Sequence, residues 1–365
     1  MKRATQLKVK QLLVIISFWL ATGFVITVYD YLVLHSDYAL GPAGDYSFIL
    51  AAARNIGGGL IGGLLGGSLL VFFVNEKYQD KPYGYTILAV SISFIFIIAL
   101  VAVIMGLFLV PAQTGRPISD PLSREALLDF LTDSTPIKAA LVWSIVVAVT
   151  QLLLQVNKKF GYGIFWHIIR GKYNTPKEEE RIFMFLDINS STTIAERLGD
   201  ETYHALLKDF FADITNPILN NDGHIYQYAG DEVIVSWTYR EGIENSHCIR
   251  CFFDMKLHIQ QQREKYLRKY GLVPSFKAGI HSGKVVAGEV GIIKRDITYS
   301  GDVLNTTARI CNMCRDFNVE LLASADLMDA VPLGSHLTVK PLGSIKLRGK
   351  EKAVGLSTVG LAVGV

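Results

Sequence analysis

The chain has 365 residues, 50% of them hydrophobic, and 36 Lys and Arg against 33 Asp and Glu leave a formal net charge of +3. A mean hydropathy of +0.31 excludes an ordinary soluble protein and implies a membrane part, while the length leaves room for two domains. The basic residues are not gathered into one stripe, which excludes nucleic acid as a partner.

Residues 1–156 read as an all-α transmembrane domain. Four apolar stretches are long enough to cross a bilayer: Leu12 to Leu34, Phe48 to Val74, Tyr85 to Val110 and Ala139 to Val156. The first is too long for a removable signal peptide and lacks a well-placed cleavage site, so it reads as a retained anchor. Lys2, Arg3, Lys8 and Lys10 precede it, Lys77 and Lys81 follow the second span, and Lys158, Lys159, Arg170 and Lys172 follow the fourth. The His35 to Ser47 loop has Asp37 and Asp45 but no Lys or Arg, whereas the longer Pro111 to Lys138 loop offsets Arg116 and Arg124 with four acids. This asymmetry predicts a multi-pass protein of the plasma membrane, or of the inner membrane in a Gram-negative cell, with both termini cytoplasmic.

The second span repeats a small-xxx-small spacing from Ile56 to Gly67, which lets another helix approach backbone to backbone. Packing within the bundle is the simpler reading and a dimer seam the rival. Asp30 and Arg54 fall at similar depths, as snorkelling residues, as an ion pair, or as part of a small ligand site. Residues 157–180 form a juxtamembrane linker whose aromatic and basic residues, Phe160, Tyr162, Phe165 and Trp166 among them, predict a segment lying along the interface. Pro176 and the charges after it mark the start of a third segment, 181–365.

In that soluble segment, Arg181 to Ile188 reads as a buried strand ending in a lone acid, Asp187. Ser190 to Thr193 then cap a helix reaching about Asn221, whose first backbone N-H groups suit a phosphate. His224 to Trp237 reads as a hairpin with Asp231 at its tip. A helix follows from about Ile243 to Tyr270, then short strands at Ser275 to His281, Val285 to Val290 and Ile297 to Tyr299, then a helix from about Asp302. The order predicts an α+β, ferredoxin-like sandwich with a mainly antiparallel sheet. Cys248, Cys251, Cys311 and Cys314 fall in helical segments and read as buried structural thiols rather than zinc ligands.

Taken singly, Gly230-Asp231 is ordinary turn chemistry and an exposed Asn or Arg is commonplace. In combination they say more. Two strands that each deliver an Asp to one rim can clamp two Mg²⁺ or Mn²⁺ ions, and Asn305 and Arg309, one helical turn apart, can bind sugar and phosphate oxygens.

From Arg181 to about Val359 the chain resembles the catalytic domain of class III nucleotidyl cyclases, the adenylate and guanylate cyclases. The residues that carry the resemblance are FLDI with Asp187, YAGDEVIV with Asp231, GIHSGKVVAGEVG from Gly279 to Gly291, and TYSGDVLNTTARI with Asn305 and Arg309. The resemblance implies that Asp187, the Ile188 position and Asp231 hold two Mg²⁺ or Mn²⁺ ions per site. It further implies in-line attack of the ribose 3′-hydroxyl on the α-phosphorus, with Arg309 stabilising charge and Asn305 orienting the ribose. Lys284 and Arg348 match positions that meet the phosphates, and Ser191-Thr192 stands where the family places an aromatic and a Thr. Gln227 and Thr298 occupy the base-reading positions. A Gln can donate to adenine N1 and a Thr accept from its exocyclic amine, which favours ATP, although a rotated amide also suits GTP. The family's sites are shared between two chains, so a head-to-tail homodimer is expected. The alternatives are a guanylate cyclase and a catalytically silent dimeric receptor module.

Overall fold

The computed structural model describes residues 3–35, 47–74, 77–78, 81–132, 134–160, 170–293, 295–334, 337–350 and 352–362. The chain divides into two compact units, one within residues 5–165 and one within 166–365.

The described residues of the first unit are mostly helical, as suits a chain in hydrocarbon, which must satisfy its own backbone polar groups. Among the described residues, four helices are long and apolar enough to cross a membrane, Thr5–Leu34, Phe48–Val74, Tyr83–Thr114 and Lys138–Lys158. Ser47 starts the second by accepting a bond from the Leu50 N-H. Its glycine stripe lies against the first helix, within the bundle: a Cβ on Gly59 would stand 2.9 Å from the Trp19 carbonyl oxygen. Trp19 is buried there, donating to Thr150 Oγ1 at 3.0 Å and lying 5.6 Å from the Trp143 ring. Of the alternatives for Asp30 and Arg54, an ion pair is formed by Asp30, but with Lys138, at 2.5 Å. The expected outer loop contains a helix, Pro121–Thr132. Much of the linker expected along the membrane, residues 161–169, lies outside the described residues.

The second unit is built on an eight-stranded mixed sheet, with strands β1 Lys177–Ile188, β2 His224–Ala229, β3 Glu232–Thr238, β4 Phe276–Val290, β5 Asp296–Ser300, β6 Leu321–Ser324, β7 Leu337–Ile345 and β8 Val354–Leu361. The order is β2-β3-β1-β4-β6-β8-β7, with β5 on the far end of β4. Only β4 and β6 run parallel, so the sheet is mainly antiparallel, as expected. β1 is central and its residues alternate between two apolar faces. Ile182, Met184, Leu186 and Ile188 face one core with Phe210 and Phe252, from the helices Asp200–Asn220 and His247–Gln261. Phe183 and Phe185 face a smaller cluster with Val303 and Cys311, from the helix Asp302–Met313.

Several boundaries differ from the sequence reading. The helix after Asp187 is two helices, Ser191–Leu198 and Asp200–Asn220, separated by Gly199 at φ 76° and ψ 159°. Ser190 precedes the first of them in the left-handed region, without a side-chain cap. β4 is one 15-residue strand where two short ones were expected. Gly283 does not interrupt it because the helix above needs that space: a Cβ there would meet Val303 Cγ2 at 2.7 Å. The helix expected from Ile243 starts only at His247, after Asn245 and Ser246 at positive φ. β1 begins at Lys177, inside the expected linker. All four cysteines are buried free thiols, and burial pushes Cys248 up to about 12.

Candidate active site

Asp187 is the last residue but one of β1, opposite Glu232 on β3 and Lys277 on β4. Strand alternation places it on the face of Phe183 and Phe185, beneath the Asp302–Met313 helix. Asp231 arrives from another direction, in the two-residue turn between β2 and β3, where Gly230 at φ 64° takes a conformation that glycine adopts without strain.

The two acids share one electrostatic environment. Burial raises the Asp187 carboxyl, the hydrogen bond and charge of Lys277 oppose that rise, and Asp231 adds to it by charge and by hydrogen-bond contact. Glu232 is raised too, by burial and then by the charges of Asp187 and Asp231. Lys277 Nζ donates to Asp187 Oδ2. At Lys277 burial works against the charge, but the Asp187 partner outweighs it and the ammonium is held up. Tyr203 completes the rim: burial and the charge of Asp231 raise its hydroxyl, while a hydrogen bond with Ser191 pulls it down. Thr192 is exposed on the next position of the Ser191 helix, and Ile188 turns its side chain into the opposite core.

Among the described residues, no three or more His, Cys, Asp and Glu side chains are grouped to hold a metal ion. The two Asp carboxylates nevertheless suit Mg²⁺, which takes one or two carboxylates and fills its remaining positions with water and substrate phosphate. The ammonium on Asp187 shows that this edge already attracts a cation.

Along the same face runs an aromatic platform. Tyr226 and Tyr299 lie 5.0 Å apart, Phe183 is 5.4 Å from Tyr299, and the Arg181 guanidinium sits 4.7 Å from the Tyr299 ring centre. The Tyr299 N-H donates to Tyr226 Oη at 3.4 Å. Gln227 follows Tyr226 and Thr298 precedes Tyr299, so this contact draws together the strands that bear the two expected base readers. Gln227 is exposed and opposite Ile234, whereas Thr298 is half-buried and opposite Gly288.

Among the described residues, the remaining expected ones make no bond to the acids. Asn305 is exposed and Arg309 half-buried on the Asp302–Met313 helix. No hydrogen bond or ion pair joins either to Asp187 or Asp231 among the described residues. Arg309 lies against Gly349, whose Cβ would stand 3.4 Å from Arg309 Nη2, and Lys350 pairs with Asp302 at 2.5 Å. Arg348 is exposed. Lys284 is an exposed residue paired with Glu178 at 2.8 Å. It is seven positions along β4 from Lys277 (284 − 277 = 7), or roughly 23 Å at about 3.3 Å per residue. The acids and the Asn-Arg pair thus have no bond to each other among the described residues.

Sequence reasoning missed Lys277, Tyr203 and Lys350. Only strand register reveals Lys277, because 90 positions separate it from its partner.

Residues 174–357 match the family model described as the adenylate and guanylate cyclase catalytic domain. The chain belongs to this cyclase family. It is 37% identical over 214 residues to adenylate cyclase 2 of Rhizobium meliloti (strain 1021), covering 58% of this chain and 59% of the relative. Adenylate cyclase 1 of the same organism is 30% identical over 189 residues, 50% of this chain and 27% of that one. The cyclase chain therefore spans under two thirds of the length of these relatives. Its fold is similar to a solved bacterial light-regulated adenylyl cyclase, with a TM-score of 0.53 and 24% identity, across 60% of this chain and 64% of that one.

Proposed function

We propose that the chain is a membrane-bound adenylate cyclase that converts ATP to cyclic AMP and pyrophosphate. The observation that carries the reading is the convergence of Asp187, from the end of β1, and Asp231, from the β2–β3 turn, at one edge of the sheet. Asp187, Asp231 and the Ile188 backbone would hold two Mg²⁺ or Mn²⁺ ions, which when bound lower the pKa of the ribose 3′-hydroxyl and neutralise charge on the phosphates. The 3′-oxygen forms a bond to the α-phosphorus, the bond from that phosphorus to the β-phosphate oxygen breaks, and the hydroxyl proton leaves to solvent.

The side chains position and stabilise. Gln227 and Thr298 read the adenine edge beside the Tyr226 and Tyr299 rings, and Ser191, with Thr192, lies toward the triphosphate. Arg309 stabilises charge on the transferring phosphoryl and Asn305 orients the ribose. The acids and the Asn-Arg pair make no bond to each other within one chain, which fits a site completed by a second copy in a head-to-tail homodimer. Lys284 and Arg348 then meet the phosphates from that partner's side. The four long apolar helices fit an integral protein of the plasma membrane, with cytoplasmic termini that leave the catalytic unit beside cellular ATP.

The test is nucleotide turnover by the purified full-length chain in membranes with Mn²⁺. Faster turnover of ATP than GTP is expected; faster GTP turnover would overturn the base reading, and no cyclic product from either would overturn the cyclase reading.

A further inference from the structure

Among the helices of the membrane unit lies a half-open cavity of about 90 Å³ that the cyclase reaction does not use. Most of its wall is apolar, with Trp19, Phe94, Met105 and Val147 along it, while Arg54 and Lys138 line it as its cationic groups. Their charges do not cancel. Lys138 is bound to Asp30, whose side chain is only 9% exposed. Arg54 has no ion pair or hydrogen bond among the described residues. It lies six positions into its helix (54 − 48 = 6), or about 9 Å along the axis at about 1.5 Å per residue. A guanidinium at that depth is costly without a counter-charge, by about 2.5 to 3.5 kcal/mol at the centre of a span and less toward its end.

We propose that this cavity binds a single-chain anionic amphiphile, a long-chain fatty acid, with its carboxylate on Arg54 and its tail along the aromatic wall. Three features select this ligand. One uncompensated positive charge calls for one monoanionic head, and a guanidinium fork matches a carboxylate with two parallel hydrogen bonds. At about 90 Å³ the enclosed space is narrow, which suits one tail better than the two of a phospholipid. The wall is apolar and the surrounding bilayer delivers such molecules directly.

Gly58 supplies the decisive variant. It lines the cavity, and a Cβ built on it meets nothing within 4 Å. A side chain there starts into open space rather than against the bundle.

The experiment uses the full-length protein in phosphatidylcholine nanodiscs, titrated with a diazirine-bearing palmitate and photolysed. Saturable labelling of the cavity helices is expected. Arg54→Gln should weaken binding about tenfold or more, the equivalent of losing a charged hydrogen bond, and Arg54→Lys should retain most of it. Gly58→Phe should abolish labelling while keeping the wild-type unfolding midpoint; Ala102→Trp, on the same wall, serves if that variant does not fold. The uncharged alcohol of the same chain length should not compete, nor should phosphatidylglycerol. Non-saturable labelling, labelling unchanged in both Arg54→Gln and the filled variant, or displacement by phosphatidylglycerol would overturn the proposal. Because the readout is binding, it stands or falls independently of nucleotide turnover.

Discussion

Lys277 and Asp187 face each other across adjacent antiparallel strands, and the ammonium of one is bonded to the carboxylate of the other at the edge where Asp231 arrives. Both side chains are mostly buried, 15% and 17% exposed. The protein thus neutralises its acidic edge with an internal cation.

Lys277→Met should therefore lower the unfolding midpoint of the metal-free protein, because a mostly buried carboxylate loses its partner at a cost of about 1 to 3 kcal/mol. Added Mn²⁺ should then raise the midpoint more in the variant than in the wild type, since the cation no longer competes with an ammonium. Thermal unfolding with and without MnCl₂, with Mn²⁺ binding followed by electron paramagnetic resonance, checks both halves. An unchanged Mn²⁺ affinity would show that Lys277 does not guard the acids.

Asp231→Ala and Arg309→Ala should each reduce cyclic AMP formation by about a thousandfold, in the range of losing one electrostatic stabiliser of the transition state. Co-expressed, the two inactive chains should recover roughly a quarter of wild-type activity, because half of the random dimers are mixed and each of these has one intact site. Recovery near zero would mean that each chain builds its site alone. Product measured on purified tagged mixtures decides.

The close seating of the Asn305 and Arg309 helix on the sheet makes a third prediction. A Cβ on Gly279 would stand 2.3 Å from the Cys311 backbone nitrogen, whereas at Gly283 the obstacle is one methyl of Val303. Gly279→Ala must lift the helix and should cost about 1 to 3 kcal/mol, with a loss of activity. Gly283→Ala should be milder on both counts. Chemical denaturation and turnover of the two variants provide the comparison.

His281 gives a dependence on acidity. Burial pushes its imidazole down to about 4, the charge of Lys350 adds to the effect, and Asp326 and Asp302 oppose it. Its Nδ1 is 2.8 Å from Ser324 Oγ. The folded pKa lies below the unfolded one, so the unfolded chain binds more protons between them. The contribution of His281 is fully present above about 6.5 and is lost as pH falls from there through about 4. His281→Gln should flatten the stability curve across that window by up to about one proton, measured from unfolding free energies at several pH values.

The β1 strand, the Gly230-Asp231 turn and the start of the Asn305 helix were legible because each is a local pattern: a short apolar run, a tight-turn pair, and polar residues one helical turn apart. The membrane helices were legible from length and hydropathy. What stayed hidden is relational. Lys277 and Lys350 acquire their partners through strand register and loop return, and neither has a local signature in the sequence. The break at Gly199 was masked by continuous apolar periodicity on either side. The Asp30 partner was not foreseen because only the first two spans were compared for depth, while the fourth supplied the cation.

β1 is hydrogen-bonded along both edges, to β3 from Arg181 to Asp187 and to β4 from Lys177 to Ile188. It is also the first strand after the last long apolar helix. A tug on its upstream end would have to shear two ladders at once to displace the acid at its far end, so the carboxylate is insulated from small axial pulls. A pull along that route would have to move the catalytic unit as a whole before it disturbed the acid at its edge.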